Sequence, residues 1–178
     1  MGIDIWIGID PGVNGAVAVL DNDLNVLLLE KFPTIKEKKT SSGHKTTFVF
    51  PEMASLFKKI SDLPGNKFVF LENVSAMPRD GVSSAFTFGG SFWAIQQVLA
   101  CNNLPYLLVS SKRWQSVMLQ QCPKDRNERL ELYRAQAIRQ HPTQSGNLSR
   151  KSDADKAAAL LIAHYGKRTY IPDFNAVT

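Results

Sequence analysis

Cysteine is scarce in this chain of 178 residues: Cys101 and Cys122 are the only two. Their spacing makes neither a zinc site nor a disulfide framework, and a reducing interior is the expected setting. Histidine is also rare, with three residues. No apolar run approaches the length of a bilayer span, so no membrane partner is expected. The N-terminal stretch has no basic segment followed by an apolar core, so export is not expected either. Cytoplasm, nucleoid or an organelle interior are the expected locations, and a phage source fits equally. Internal repeats, low-complexity tracts and an interdomain linker are missing, so residues 1–178 read as a single domain. Glycine-rich phosphate loops are missing too, and no small-molecule cofactor is expected.

What is present is a soluble-protein composition, 44% hydrophobic and 21% charged. The net charge of +5 is unevenly placed. Residues 112–168 hold twelve Lys or Arg against five acids, whereas residues 1–111 hold nine against ten. A basic half joined to a neutral half points to a polyanion, most often nucleic acid, or to a solvated basic helix face.

Ile3 to Asp10 reads as a buried strand, Gly15 to Leu20 as a second, and Leu24 to Phe32 as a third, joined by short turns into an antiparallel meander. Asp10, at the end of the first strand, either caps the Pro11-Gly12 turn or serves chemistry. Residues 34–47 are polar and aperiodic and read as an exposed loop. Met53, Leu56, Phe57 and Ile60 have helical spacing, with Pro51 suited to the first turn. Phe68 to Leu71 is an apolar run fit for a central strand, and it leads directly into Glu72. Two adjacent strands ending in carboxylates place like charges together, which is unfavourable without a cation between them.

Residues 77–93 pass from loop to helix, with Phe86, Phe88, Phe92 and Trp93 beside Gly89, Gly90 and Ser91. Core packing, a dimer interface, or aromatic insertion into distorted nucleic acid are the open uses of this helix. Pro105 to Val109 is a fifth strand, after which Ser110 or Ser111 can cap a helix carrying Lys112, Arg113 and Trp114. Residues 124–140 form a second basic helix. Arg150 and Lys151 sit in a polar loop before a helix that opens on Asp153 and Asp155. Acids in a first turn suit the helix dipole, which is a sufficient structural reason for both. With Asp10 and Glu72, however, they make an all-carboxylate set of the kind that binds Mg²⁺ or Mn²⁺. Two such ions can activate water and stabilise the leaving oxygen of a phosphodiester.

Ile7 to Gly12, Phe70 to Asn73 and Asp153 to Gly166 together resemble the RuvC-like Holliday junction resolvases of the RNase H-like superfamily. The stretch from Pro78 to Trp93 is most similar to the chloroplast and phage-type branch. The resemblance implies an α/β fold. Its centre would be a mixed five-stranded sheet, three antiparallel strands then two parallel, flanked by helices. It implies a homodimeric endodeoxyribonuclease that binds four-way DNA junctions and nicks opposed strands with two divalent ions. Asp10, Glu72, Asp153 and Asp155 would be the metal ligands, with Lys112 stabilising the developing charge. Arg79, Phe86, Phe88, Lys112, Arg113, Trp114, Arg150 and Lys151 would meet DNA.

One position departs from the pattern. The family carries an aspartate directly before the Ala-Leu-Leu-Ile-Ala run, and this chain has Ala158 there. Ungapped alignment makes Asp153 the preceding carboxylate, while Asp155 is three residues before Ala158 and can share its helix face. Three explanations stand: Asp153 and Asp155 suffice, the chain is a weakly active binder, or Ala158 replaces an aspartate to hold DNA uncut. The competing function is a catalytically silent junction-binding or architectural protein. A third class, an actin- or sugar-kinase-type phosphotransferase, calls for a longer chain and phosphate loops.

Overall fold

The computed structural model describes residues 3–38, 44–74 and 81–170. Its chain is α/β, and the centre is a five-stranded sheet. The first three strands are β1 (Asp4–Asp10), β2 (Ala16–Leu20) and β3 (Val26–Lys31), and they pair antiparallel in sequence. The later strands β6 (Asn66–Asn73) and β7 (Tyr106–Ser110) run parallel to β1, giving the order β3-β2-β1-β6-β7. The sheet is therefore the mixed one, three antiparallel strands then two parallel, that the sequence leads one to expect.

Alternation along β1 divides the core. Ile5, Ile7 and Ile9 face one layer, formed by α1 (Phe50–Ser61) and α2 (Val82–Cys101) through Met53, Phe57, Ile60, Ile95 and Leu99. Trp6 belongs to the other layer, formed by α3 (Ser111–Met118), α4 (Arg126–Gln140) and α5 (Ala154–Thr169). Both faces of a central strand are thus covered, which explains its continuous hydrophobicity. α5 comes closest to the sheet. A Cβ on Gly8 would lie 2.2 Å from both the Ala159 carbonyl oxygen and the Ala163 nitrogen. Glycine at residue 8 and alanine at residues 159 and 163 are what let helix and strand backbones approach so closely.

The segment read as an exposed loop, residues 34–47, is corrected. β4 (Thr34–Lys38) and β5 (His44–Phe48) form a separate antiparallel ribbon. Ile35, Thr46 and Thr47 supply β-branched side chains on a largely exposed ribbon. Phe48 anchors its base against Phe32, ring centroids 5.8 Å apart. Polarity hid the strands because this ribbon buries little and shows no apolar alternation. The third strand also begins later than its composition suggests. Leu24 adopts a positive φ of 64° within a turn held by Asp21, whose carboxylate accepts from the Asp23 and Asn25 backbone N–H groups. The polar stretch before α5 is wound into three short 3₁₀ turns, at Pro142–Gln144, Gly146–Leu148 and Lys151–Asp153.

Candidate metal and nucleic-acid site

Three elements that are distant in sequence deliver the candidate carboxylates to one end of the sheet. Asp10 is the last residue of β1, and Glu72 is the next position on β6 after the Ile9–Leu71 pair. The two therefore end neighbouring parallel strands side by side. Asp155 lies in the first turn of α5, four residues before Ala159, and Ala159 sits on Gly8. One helical turn from Gly8 toward the strand's C-terminal end brings Asp155 over Asp10.

The electrostatics record this convergence. Burial, then the negative charges of Glu72 and Asp155, push the Asp10 carboxyl well above the ordinary carboxylate range. Asp10 and Glu72 also share a hydrogen bond. The turn after β1 is closed by backbone, from the Gly15 N–H to the Gly12 carbonyl at 3.0 Å, with Gly12 at φ 119°. Asp155 is likewise raised, chiefly by burial, although Lys31 acts in the opposite direction. Lys31 Nζ lies 3.7 Å from the Asp155 carboxylate and donates to the Ser152 carbonyl.

Asp153 is engaged differently. Its Oδ2 accepts from the Arg150 N–H at 3.0 Å, and its Oδ1 pairs with Lys156 at 3.2 Å. Burial would raise its pKa, but these partners outweigh burial and hold it below the usual range. The carboxylate thus fastens the 3₁₀ turn to the start of α5. Ala158 is buried, 3% exposed, among the side chains of the α3–α5 layer.

Glu72 has a second partner. The indole N–H of Trp114 donates to its Oε1 at 2.9 Å, and Trp114 has no exposed surface. Trp114 is therefore corrected as a DNA-contact residue: an amphipathic helix turns it inward, while Lys112 and Arg113 of the same helix remain exposed.

Two clefts flank the carboxylates. One of about 690 Å³ is bordered by Glu72, Lys112, Gln115, Arg129 and Tyr133. The other, about 390 Å³, is bordered by Asn14, Phe88, Arg126, Lys151 and Asp155. Each offers one lysine and one arginine beside a carboxylate, and Arg126 and Arg129 are three residues apart at the start of α4. Phe88 sits against the β1–β2 turn, since a Cβ on Gly12 would be 3.5 Å from its ring. Phe86 is 83% exposed. Arg150 is exposed at the rim, and Arg79 lies outside the described residues.

Lys31, Arg126 and Arg129 were not singled out from sequence. Register is the signal for Lys31: it pairs with Ala16, which pairs with Asp10, so the three share one row and one face of the sheet. For the arginines, spacing in the first turn of a capped helix is the signal, with the Asp125 carboxylate accepting from the Asn127 and Glu128 N–H groups.

No family model matches the chain, and no curated protein matches it. Two solved structures resemble it weakly. One is T. thermophilus RuvC in complex with Holliday junction substrate, at 14% identity and a TM-score of 0.46, covering 92% of this chain and 90% of that one. The other is Thermus thermophilus RuvC, at 13% identity and a TM-score of 0.45, covering 93% and 95%. Likenesses of this size carry no chemistry across, so the chemistry of the site is argued from the strand order and the residues themselves.

The donor set has the chemistry of a divalent-cation site. Among the described residues, no three ligating side chains close into one coordination sphere. Yet burial, with the charges of Glu72 and Asp155 beside it, raises Asp10, and all the donors of the three are oxygen. Such a set suits a hard cation, for which buried like charges are the preorganised ligand. The residues fit such an ion, and Lys31 is the counter-charge that Asp155 would share with it.

Proposed function

We propose that the protein is a divalent-metal-dependent endodeoxyribonuclease acting on branched DNA. The observation that carries this reading is the Asp10–Glu72–Asp155 convergence between two cationic clefts. Asp10 and Glu72 would hold Mg²⁺ or Mn²⁺, with Asp155 contributing from α5; Asp153, fastened to Arg150 and Lys156, supports the helix start rather than the ions. The bound ions would supply an activated water and charge stabilisation at the leaving oxygen. The chain's own residues do the rest. Lys112 and Arg129 grip phosphate on the Glu72 side, and Arg126 and Lys151 on the Asp155 side, so a strand crossing the centre is held before and after the bond to be cut. Arg113 and Arg150 extend this basic rim.

Four-way junctions are the branched substrate that the sequence resemblance favours. A second copy of the chain is its natural complement, because two opposed strands need two sites. α2 offers a face for that copy: Val82, Phe86 and Trp93 are 88%, 83% and 64% exposed. Phe86, exposed near the start of the helix, would meet an unstacked base as well.

Ala158 favours a second reading, a junction binder without cleavage, since a buried alanine occupies a position the family fills with a carboxylate. One experiment separates the two. The wild-type chain and Asp10→Asn are incubated with a synthetic four-way junction and Mn²⁺, with binding followed by gel shift and nicking by denaturing gel. Wild-type nicking that vanishes in Asp10→Asn while binding persists supports the nuclease. Binding without nicking in both supports the silent binder, and no junction binding in either refutes both.

A further inference from the structure

Trp114 joins the buried core to the candidate site. Its ring is wholly buried in the core beneath the sheet, yet its N–H donates to a carboxylate at the sheet's end. The ring is itself fixed: Tyr133 packs against it with centroids 5.1 Å apart, and Gln115 Nε2 donates to the Tyr133 hydroxyl oxygen at 2.6 Å. The three side chains come from α3 and α4 and form one braced unit. The unit leads to a single oxygen, Glu72 Oε1.

Resting on the nuclease reading above, we infer that Trp114 is a positioning residue that holds Glu72 in the rotamer from which it binds the metal. Glu72 has three side-chain torsions and would otherwise be free to swing toward the open cleft beside Lys112 and Arg129. Asp10, on the neighbouring strand, is a second carboxylate and offers no fixed donor, whereas the indole N–H is a donor in every protonation state of the pair. That N–H occupies one lone-pair direction of Oε1 and leaves Oε2 and the other lone pairs for the ion. Gln115 and Tyr133 act one step further out by holding the indole.

The test is Trp114→Phe, which keeps an aromatic ring in the core but removes the N–H. Mn²⁺ affinity is measured by calorimetry on the DNA-free protein, beside thermal unfolding without metal. The expected result is Mn²⁺ binding roughly 10-fold or more weaker. In a Glu72→Gln background the same change should have no further effect on affinity, whatever it does to stability. Loss of stability with unaltered Mn²⁺ affinity would overturn the inference and leave Trp114 a core aromatic. An equal loss of affinity in the Glu72→Gln background would overturn it as well, since the effect would not run through Glu72. Wild-type protein that binds no Mn²⁺ refutes the metal reading itself, a distinguishable failure.

Discussion

Replacing Gly8 with alanine should weaken the protein's stability and its site together, because the contact at Gly8 serves both. The new Cβ would stand 2.2 Å from the Ala159 carbonyl oxygen, 2.2 Å from the Ala163 nitrogen and 2.9 Å from the Ala163 Cα, against ordinary contact at 3.4 Å or more. All three are backbone atoms, so no side chain can swing aside. α5 must lift from β1 by about 1 Å. Overpacking of this sort costs ~1–3 kcal/mol. In a chain of this size that lowers Tm by roughly 3–10 °C. The same lift carries Asp155 away from Asp10, so Mn²⁺ affinity should fall and Asp10 should be relieved of part of its upward shift. Gly166→Ala is the matched control. Its Cβ would meet the Phe70 ring, also at 2.2 Å, but that is a side chain, and Gly166 lies near the far end of α5. It should lower Tm while leaving Mn²⁺ affinity near wild type. Thermal unfolding by circular dichroism and Mn²⁺ calorimetry give both readings. If Gly8→Ala leaves Tm within 2 °C of wild type (about 1 kcal/mol or less), the close contact between strand and helix is refuted. If both variants lose affinity equally, Asp155 is not placed by this contact.

Two further outcomes rest on neighbouring contacts. His141 and His164 face each other, Nε2 to Nδ1 at 3.2 Å, and burial lowers both, His164 to about 4. Both stay neutral when folded while the unfolded chain takes up protons near pH 6.5, so their contribution is complete above that pH and is lost as pH falls toward 4. Discounted for partial exposure, the loss is about 1–2 kcal/mol; urea midpoints between pH 7 and 4.5 should fall, and His164→Gln should flatten that slope, whereas an unchanged slope refutes the pairing. Ala158→Asp would bury a further carboxylate on the helix face that carries Asp155. It should lower Tm without metal, raise the stabilisation given by Mn²⁺, and increase nicking; no gain in nicking refutes the idea that the site lacks this carboxylate.

Legibility in the sequence depended on whether the signal was local. β1 and β6 announced themselves because strands buried on both faces are apolar throughout, and a carboxylate at the end of each stands out against that background. α5 was legible from its alanine run. The β4–β5 ribbon was not, since it buries almost nothing and periodicity records burial. The different surroundings of Asp153 and Asp155 were also beyond the sequence. Both suit a first helical turn, and only the fold shows their partners: the Arg150 N–H and Lys156 meet one, Asp10 and Lys31 the other. Trp114 shows the same limit. Its place among basic residues suggested DNA, and its inward direction depended on a helix face that a short segment with little apolar content does not reveal.

Residue 10 and residue 155 belong to opposite ends of the chain, yet the helix that carries one lies on the strand that carries the other. Loop closure over that separation comes late in folding, because its entropic cost is met before the long-range contacts form. During synthesis, β1 to β7 leave the ribosome well before α5 does. A chain still being made therefore carries the basic side chains of α3 and α4 but not yet Asp155 beside Asp10 and Glu72. Timing is built into the order of the elements: the cationic side chains are made before the carboxylate set is complete. Mn²⁺ affinity should accordingly appear no earlier than the last refolding phase.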